Sequence, residues 1–207
     1  RLLPPDRPGR TVAMTVRTVL RALVACIVAA IAVGGVQGCG RSDEGRTTFR
    51  YVSATPKGEV IPIAERQLAG QISADVLDGG TFSLSAHQGE VVFINFWGAW
   101  CGPCAAEAPI LDSIYEQFKD EGVLVVGIAV RDVEDLTRAF IKNNDISYPN
   151  IFDFNARSAV ELGHIPVRGL PQSVAVDRHG RIAGVYAGAV TAGDVEPVLE
   201  QLLNETG

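Results

Sequence analysis

The amino-acid sequence predicts an α/β fold, in which helices flank a central mixed β-sheet, an N-terminal hairpin precedes the sheet and a central insertion interrupts it. Two apolar runs, residues 91–97 and 122–130, are rich in β-branched residues, as strands buried on both faces are. A segment with helical spacing of apolar residues follows each run, and this alternation favours parallel strands joined by right-handed crossovers. A turn at residues 178–180 then joins two further strand candidates into an antiparallel hairpin, which makes the sheet mixed.

The predicted domain begins at residue 71 with a hairpin. Residues 74–77 and 81–84 flank residues 78–80, Asp-Gly-Gly, which favour a tight turn. The first buried strand leads into a helix at residues 101–120, and Pro103 suits its first turn because the N–H groups there have no partner within the helix. The apolar residues of this helix recur at helical spacing: Ile110, Leu111, Ile114 and Phe118.

The central insertion, residues 133–162, should contain a helix, a short strand and a second helix. Asp132 is placed to cap the first of these helices. We expect the inward face of that helix to carry Val133, Leu136, Ala139 and Phe140. The last helix of the chain, residues 195–203, should begin after a capping box formed by Thr191 and Asp194.

The start of the sequence has the layout of a bacterial export signal. Two arginines precede an uncharged apolar run at residues 22–36, which is too short to span a bilayer comfortably. Residues 36–39 resemble a lipoprotein box, in which Cys39 is lipidated and becomes the first residue of the mature chain. A plain cleaved signal and an uncleaved anchor are the alternatives, and all three place the following residues outside the cytoplasmic membrane.

The chain therefore divides into three predicted parts: residues 1–39, a signal peptide with a lipobox; residues 40–70, a polar tether; and residues 71–207, the folded domain. We expect this domain at the extracytoplasmic face of the bacterial cell membrane, held there by the lipid anchor. Of the 18 basic and 24 acidic residues, five arginines and one aspartate lie within residues 1–38, so the remainder has a formal net charge of about −10. No nucleic-acid partner is expected, because nucleic-acid binding requires a basic face.

Two cysteines spaced C-x-x-C lie where the first buried strand turns into the predicted helix. Free N–H groups and the positive end of the helix dipole stabilise a thiolate there, and the thiolate is the form that attacks a disulfide. Cys101 is nearer the exposed end and is the expected nucleophile; Cys104, one turn further in, is the expected resolving cysteine. Gly102 and Pro103 keep the loop tight. The two cysteines are too close in sequence for a disulfide between them to stabilise the fold. In an extracytoplasmic protein, such a pair indicates redox chemistry.

A zinc site and an inert structural disulfide are the other uses of this cysteine spacing. The sequence offers no second cysteine pair, and its three histidines show no ligand spacing, so no metal is expected. We expect no cofactor other than the redox-active Cys101–Cys104 disulfide itself.

Residues 100–104, Trp-Cys-Gly-Pro-Cys, follow an apolar strand and resemble the active site of the thioredoxin-like superfamily, and the likeness extends over residues 73–203. Glu107, with Pro109 after it, resembles the TlpA/ResA-like branch, which comprises membrane-anchored thiol-disulfide oxidoreductases often tied to cytochrome c maturation. Asn95 stands in the strand where thioredoxin itself carries an acid. The resemblance implies a thioredoxin-like fold for the domain.

The resemblance also implies roles for residues outside the cysteine motif. Pro171 corresponds to the cis-proline that faces the cysteines in thioredoxin-like sites, whereas a trans proline that starts a strand is the alternative. The family usually has Thr or Ser directly after this proline, and Gln172 departs from that pattern. The rim around the Cys101 sulfur, which a client would contact, should be formed by Trp100, Gly102, Pro103 and Leu170.

Glu107 is the candidate that influences proton transfer at Cys104. Residues three apart on a helix share a face, so the Glu107 carboxyl can approach Cys104. Partial burial would raise the pKa of this carboxyl, which could then accept the thiol proton. A solvated helix glutamate is the alternative.

By family analogy, the sequence predicts a reductase for disulfides in client proteins, with apocytochrome c as the suspected client and a membrane thiol donor as the source of electrons. The Gly-Pro dipeptide between the cysteines is that of thioredoxin, which is a reductant. Three alternatives remain: a disulfide oxidase, a peroxiredoxin-like peroxidase and a non-enzymatic lipoprotein with a structural disulfide. The peroxidase would require a threonine where this chain has Gly98.

Overall fold

The computed structural model describes residues 53–205; the predicted signal peptide, the lipobox and Cys39 lie outside that range. Its strands and helices are, in chain order, β1 (Ser73–Asp75), β2 (Thr81–Ser83), β3 (Val91–Trp97), α1 (Gly102–Phe118), β4 (Val123–Ala129), α2 (Glu134–Asn143), β5 (Asn150–Phe152), α3 (Arg157–Gly163), β6 (Gln172–Val176), β7 (Ile182–Ala187) and α4 (Ala192–Asn204). No helix within residues 53–205 has the length and apolar character that crossing a membrane would require.

The central sheet is mixed, as the sequence predicts, and its strand order is β5-β4-β3-β6-β7. Strand β3 runs parallel to β4, and β4 runs parallel to β5, whereas β6 is antiparallel to both β3 and β7. All seven residues of β3 are buried, which accounts for its continuous apolar run. The predicted hairpin is also present, and β1 and β2 form a separate two-stranded sheet.

Each face of the central sheet is covered by its own apolar cluster. One cluster joins the sheet to α1 and α4, and it includes Cys101 and Cys104. The other joins the sheet to α3, to the hairpin and to residues that precede the hairpin. Helix α4 begins with the predicted capping box, in which the Thr191 N–H donates to the Asp194 carboxylate over 2.8 Å. The sheet is thus enclosed on both sides, and the cysteines belong to the face covered by α1 and α4.

The prediction of a tether is wrong for residues 53–70, because this segment packs along the outer edge of β7. The Thr55 and Ile61 N–H groups each donate to a β7 carbonyl over 2.7 Å, and the Ile182 N–H donates to the Gln67 carbonyl over 2.8 Å. An edge strand carries backbone groups that need partners, and the segment supplies them. Its prolines and mixed polarity conceal this role in the sequence.

Arg66 fixes the same segment to the domain through a buried ion pair. Its guanidinium lies 3.0 Å from the Asp177 carboxylate and also contacts Glu205 over 2.7 Å. Asp177 in turn accepts a hydrogen bond from the Arg181 guanidinium. Burial alone would raise the pKa of Asp177, but the hydrogen bonds from Arg181 and Arg66 outweigh it and lower the pKa. The Arg66 guanidinium therefore links the N-terminal segment to the end of β6 and to the C-terminal end of α4.

Helix α2 turns only part of the predicted face inward: Phe140 is half-buried and packs against the core, as predicted. Thr137 and Ile141 are its buried residues, whereas Leu136 and the preceding Val133 are each 58% exposed. Two neighbouring stripes of this helix both carry apolar residues, and helical period alone does not decide between them. Asp132 does not cap the helix in the expected position; its carboxylate accepts the N–H groups of Val133 and Ala99.

We predict that Arg66→Met lowers the free energy of unfolding by about 3 kcal/mol at neutral pH, because removing the arginine leaves the buried Asp177 carboxylate short of a partner. Urea unfolding followed by circular dichroism measures this loss. Arg157→Met is the matched control, since the Arg157 side chain is 82% exposed in its pair with Glu161. That control should lose less than about 1 kcal/mol. Equal losses in the two variants would contradict an integral role for residues 53–70.

Candidate active site

Cys101 and Cys104 lie at the junction of β3 and α1 and form a disulfide. Cys101 is the N-cap residue of α1, and its sulfur accepts the Cys104 N–H over 3.3 Å. The first N–H groups of a helix have no partner within the helix, so a sulfur at this place takes one of them. The same contact would stabilise the Cys101 thiolate once the disulfide is reduced, and the helix dipole acts in the same direction.

The disulfide lies just below the protein surface. Cys101 is 5% exposed and Cys104 is 2% exposed, whereas Gly102 and Pro103 between them are exposed. A partner therefore reaches the pair from the side of the Gly-Pro loop. The assignment of Cys101 as nucleophile and Cys104 as resolving cysteine stays a prediction.

Trp100 extends over the surface beside the disulfide. Its indole is 59% exposed, and its Nε1 donates to the Arg131 carbonyl over 2.9 Å. The same ring covers Gly98, where a Cβ atom would lie only 2.9 Å from Nε1. A threonine in place of Gly98 would displace the indole, so the site does not provide the arrangement that the peroxidase alternative requires.

The Leu170–Pro171 peptide bond is cis, which is the configuration that the family resemblance implies for Pro171. Strand β6 begins at the next residue and runs antiparallel to β3, with Gln172 opposite Phe96. Leu170 packs against the apolar cluster that contains both cysteines. Leu170 is half-buried, and β6 places the cis-proline loop at the same end of β3 as the one from which the chain continues to the cysteines.

Glu107 is buried beneath the start of α1, with only 2% of its surface exposed, so the alternative of a solvated glutamate is wrong. One carboxylate oxygen accepts the Asn95 Nδ2 over 2.7 Å, and the other accepts the Val190 N–H over 2.8 Å. Burial raises the pKa of Glu107, and the hydrogen bonds from Val190 and Asn95 offset this effect only in part. The carboxyl is thus held in one orientation with an increased affinity for a proton.

Two partners of Glu107 escape sequence reasoning. The sequence shows that Asn95 departs from thioredoxin. It does not show that the Asn95 side chain donates hydrogen bonds to Glu107 and, over 3.1 Å, to the Ser173 hydroxyl. Val190 contributes only its backbone N–H from a loop 83 residues away, and no residue type signals such a contact. The sequence carries one signal for this contact: Asn95 is a polar residue in an otherwise apolar strand, and a buried polar residue needs a hydrogen-bond partner.

Comparisons with known proteins agree with this site. A family model described as Redoxin matches residues 57–203. The chain is 30% identical over 129 residues to the thiol-disulfide oxidoreductase ResA of Halalkalibacterium halodurans, an alignment that covers 62% of this chain and 72% of that protein.

Two solved structures from Corynebacterium share the fold at 34% sequence identity. The DsbF homologue of Corynebacterium diphtheriae superposes with a TM-score of 0.69, covering 75% of this chain and 99% of that one. A secreted thiol-disulfide isomerase of Corynebacterium glutamicum superposes with a TM-score of 0.70, covering 76% and 99%. With a C-x-x-C disulfide at a helix start, a thioredoxin-like sheet and a family match over most of its length, the chain belongs to the Redoxin family and is a thiol-disulfide oxidoreductase.

Proposed function

We propose that this protein is an extracytoplasmic reductase, which passes two electrons from the Cys101–Cys104 dithiol to disulfides in client proteins. The observation that carries the disulfide-exchange activity is the position of the Cys101 sulfur at the start of α1, where it accepts the Cys104 N–H over 3.3 Å; the direction of electron flow is argued separately below. This position lowers the energy of a thiolate at Cys101, and a thiolate is the group that attacks a disulfide.

The reaction has two exchange steps. The Cys101 thiolate attacks one sulfur of the client disulfide, a mixed disulfide forms and the other client sulfur leaves as a thiolate. Cys104 then loses its proton and attacks the Cys101 sulfur, which releases the second client thiolate and leaves the Cys101–Cys104 disulfide. The client is reduced by two electrons and the protein is oxidised by two. A membrane thiol donor would restore the dithiol by the reverse exchange.

Glu107 is the proposed acceptor of the Cys104 proton. It lies three residues after Cys104 on α1, on the same side of the helix, and both residues are buried. Its raised pKa brings the carboxyl closer to the range in which a carboxylate can take a proton from a thiol at neutral pH. Asn95 and Val190 hold the carboxylate in place, so their role is to position the acceptor.

The direction of electron flow is proposed from two features. The Gly102-Pro103 dipeptide is that of thioredoxin, whose potential of about −270 mV is reducing. A strong oxidant needs a stabilised dithiol form, whereas a buried carboxylate under the helix start opposes the accumulation of thiolate. The buried Glu107 carboxyl therefore favours the disulfide form of the protein, which is the property of a reductant.

The proposed clients and location follow from the relatives. One solved relative is described as secreted, and the curated relatives are thiol-disulfide oxidoreductases of the ResA type. We therefore extend to this chain an extracytoplasmic location. The proposed lipid anchor at Cys39 rests instead on the lipoprotein box at residues 36–39, and the proposed apocytochrome c clients rest on the resemblance to the TlpA/ResA-like branch. The cis-proline loop at Leu170–Pro171 would bind the client segment that flanks the client's own disulfide.

A disulfide oxidase is the alternative with a distinct signature. Its potential would lie near −120 mV, that of a strong oxidant, rather than near −270 mV. Measuring the potential of the purified domain against glutathione distinguishes the reductase from the oxidase.

We predict that Cys104→Ala traps clients as mixed disulfides with Cys101, because the second exchange step then has no attacking thiol. Cells that express the variant should show higher-molecular-weight adducts on non-reducing gels, and mass spectrometry of the reduced adducts identifies the clients. The double variant with Cys101→Ala should show none. Adducts that persist in this double variant, or a complete lack of adducts with Cys104→Ala, would contradict the proposed mechanism.

We predict that Glu107→Gln slows the second exchange step by about 100-fold at neutral pH, the size of effect expected for loss of a general base. In the wild-type protein this rate should rise as pH increases through the raised pKa of Glu107, because only the carboxylate accepts a proton. The variant should lack this rise. Stopped-flow measurement of mixed-disulfide decay gives both quantities, and Glu116→Gln, an exposed position on α1, should keep the wild-type profile.

We also predict a pH-dependent stability difference in the disulfide form. The pKa of Glu107 is higher in the folded state than its ordinary value of 4.5, so the folded state binds the proton more tightly. Wild-type stability should therefore be greatest below pH 4.5 with respect to this group and should fall as pH rises through the raised pKa. Urea unfolding over this interval should show a shallower fall for Glu107→Gln. Parallel curves for the two proteins would contradict the raised pKa.

A further inference from the structure

Gln172 is a buried polar side chain that forms no hydrogen bond within residues 53–205. It is the first residue of β6, directly after the cis-proline, and it is only 6% exposed. Its neighbour Ser173 points to the other face of the sheet, where its hydroxyl accepts a hydrogen bond from Asn95. A carboxamide can donate two hydrogen bonds and accept two, and buried groups of this kind normally have partners. Within residues 53–205, the fully buried side-chain atoms without a hydrogen-bond partner belong to Thr137 and Arg178, so the Gln172 carboxamide keeps some contact with solvent and is available to a ligand.

Gln172 lines a cavity of about 260 Å³ beside the cis-proline loop. This volume lies below the range of roughly 300–1,000 Å³ that is usual for small-molecule pockets, and it suits an amino-acid side chain better than a cofactor. The wall is largely apolar and includes Pro166, Leu170, Pro171 and Val185. A ligand that fits must therefore have an apolar stem.

Arg168 is the other polar side chain that lines the cavity. Its side chain is exposed at the opening, and it forms no ion pair with any residue in the described range 53–205. The guanidinium can only donate hydrogen bonds, and the Gln172 amide donates through its nitrogen. Both residues line one cavity, and the arginine can only donate, so a ligand that ends in an oxygen atom could accept hydrogen bonds from both.

We propose that this cavity is a specificity subsite, which receives a client side chain that lies close to the reactive cysteine and ends in a side-chain carbonyl or carboxylate oxygen, as glutamine and glutamate do. The subsite rests on the proposed function, because it presumes a client segment on the cis-proline loop. Leu170 packs against both apolar clusters, the one that contains the cysteines and the one on the opposite face. Leu170 also lines the cavity, so a client segment bound to the cis-proline loop would lie beside it.

The test uses synthetic peptides that contain one disulfide and differ at a single position near it. Glutamine, glutamate or leucine is placed one or two residues before or after the cysteine, and kcat/KM is measured with the full-length reduced protein. At one of these positions, we expect glutamine and glutamate to be preferred over leucine by about tenfold, the effect of one well-placed hydrogen bond. Gln172→Leu should reduce the glutamine ratio to near one, whereas Arg168→Gln should reduce the glutamate ratio more than the glutamine ratio.

The ratio between peptides is the measured quantity, because a general loss of activity does not alter it. Gln172→Thr, which introduces the residue usual in the family, is a second variant in case Gln172→Leu does not fold. Gln117→Leu removes an exposed glutamine on α1 and should keep the wild-type ratios. Unchanged ratios in the Gln172 variants, or equal rates for all peptides with the wild-type protein, would overturn the subsite.

Failure of the proposed function gives a different result. If the reduced wild-type protein does not reduce a small disulfide such as 5,5′-dithiobis(2-nitrobenzoate), the reductase proposal fails before specificity is considered. Normal reduction of this reagent together with equal rates for every peptide overturns the subsite alone.

Discussion

The hydrogen bond from the Cys104 N–H to the Cys101 sulfur is the interaction on which the rest of the site depends. It exists because α1 begins at Gly102, and α1 begins there because β3, buried along its whole length, ends at Trp97. The strand therefore delivers the cysteines to the edge of the sheet, and the helix supplies the N–H groups that stabilise a thiolate. The redox chemistry follows from this junction rather than from the fold as a whole.

Glu107, on the same helix, opposes the stabilisation of the thiolate. The helix start favours a negative charge on Cys101, whereas a buried carboxylate disfavours a second negative charge nearby. Burial of Glu107 is costly, and the structure offsets part of this cost with the Asn95 amide and the Val190 N–H. A site that balances these two effects can release a thiolate for attack and still return to the disulfide. This balance distinguishes it from a site built only to stabilise a thiolate.

Local patterns predicted the parts of the structure that depend on neighbours in sequence. The apolar run of β3, the C-x-x-C motif at a helix start and the capping box at Thr191 were all confirmed, because each is encoded within a few residues. Arg66 could not be placed in this way, since its partners Asp177 and Glu205 lie more than a hundred residues away. The inward face of helix α2 was only partly predicted, for another reason. Phe140 packs inward as expected and Leu136 does not, because packing alone selects which apolar stripe is buried.

Because residues 53–70 pack along β7, they cannot serve as a flexible linker between the domain and a membrane anchor. Under the proposed anchor at Cys39, only the residues between it and Ser53 remain to separate lipid from protein, and even a fully extended chain of that length reaches roughly 45 Å. A tether ending at residue 70 would have allowed roughly 110 Å. Ala54, near the start of the segment, lines the cavity beside Pro171. Under the proposed anchor, the electron donor and the client would have to meet the disulfide closer to the bilayer than a tether ending at residue 70 would require.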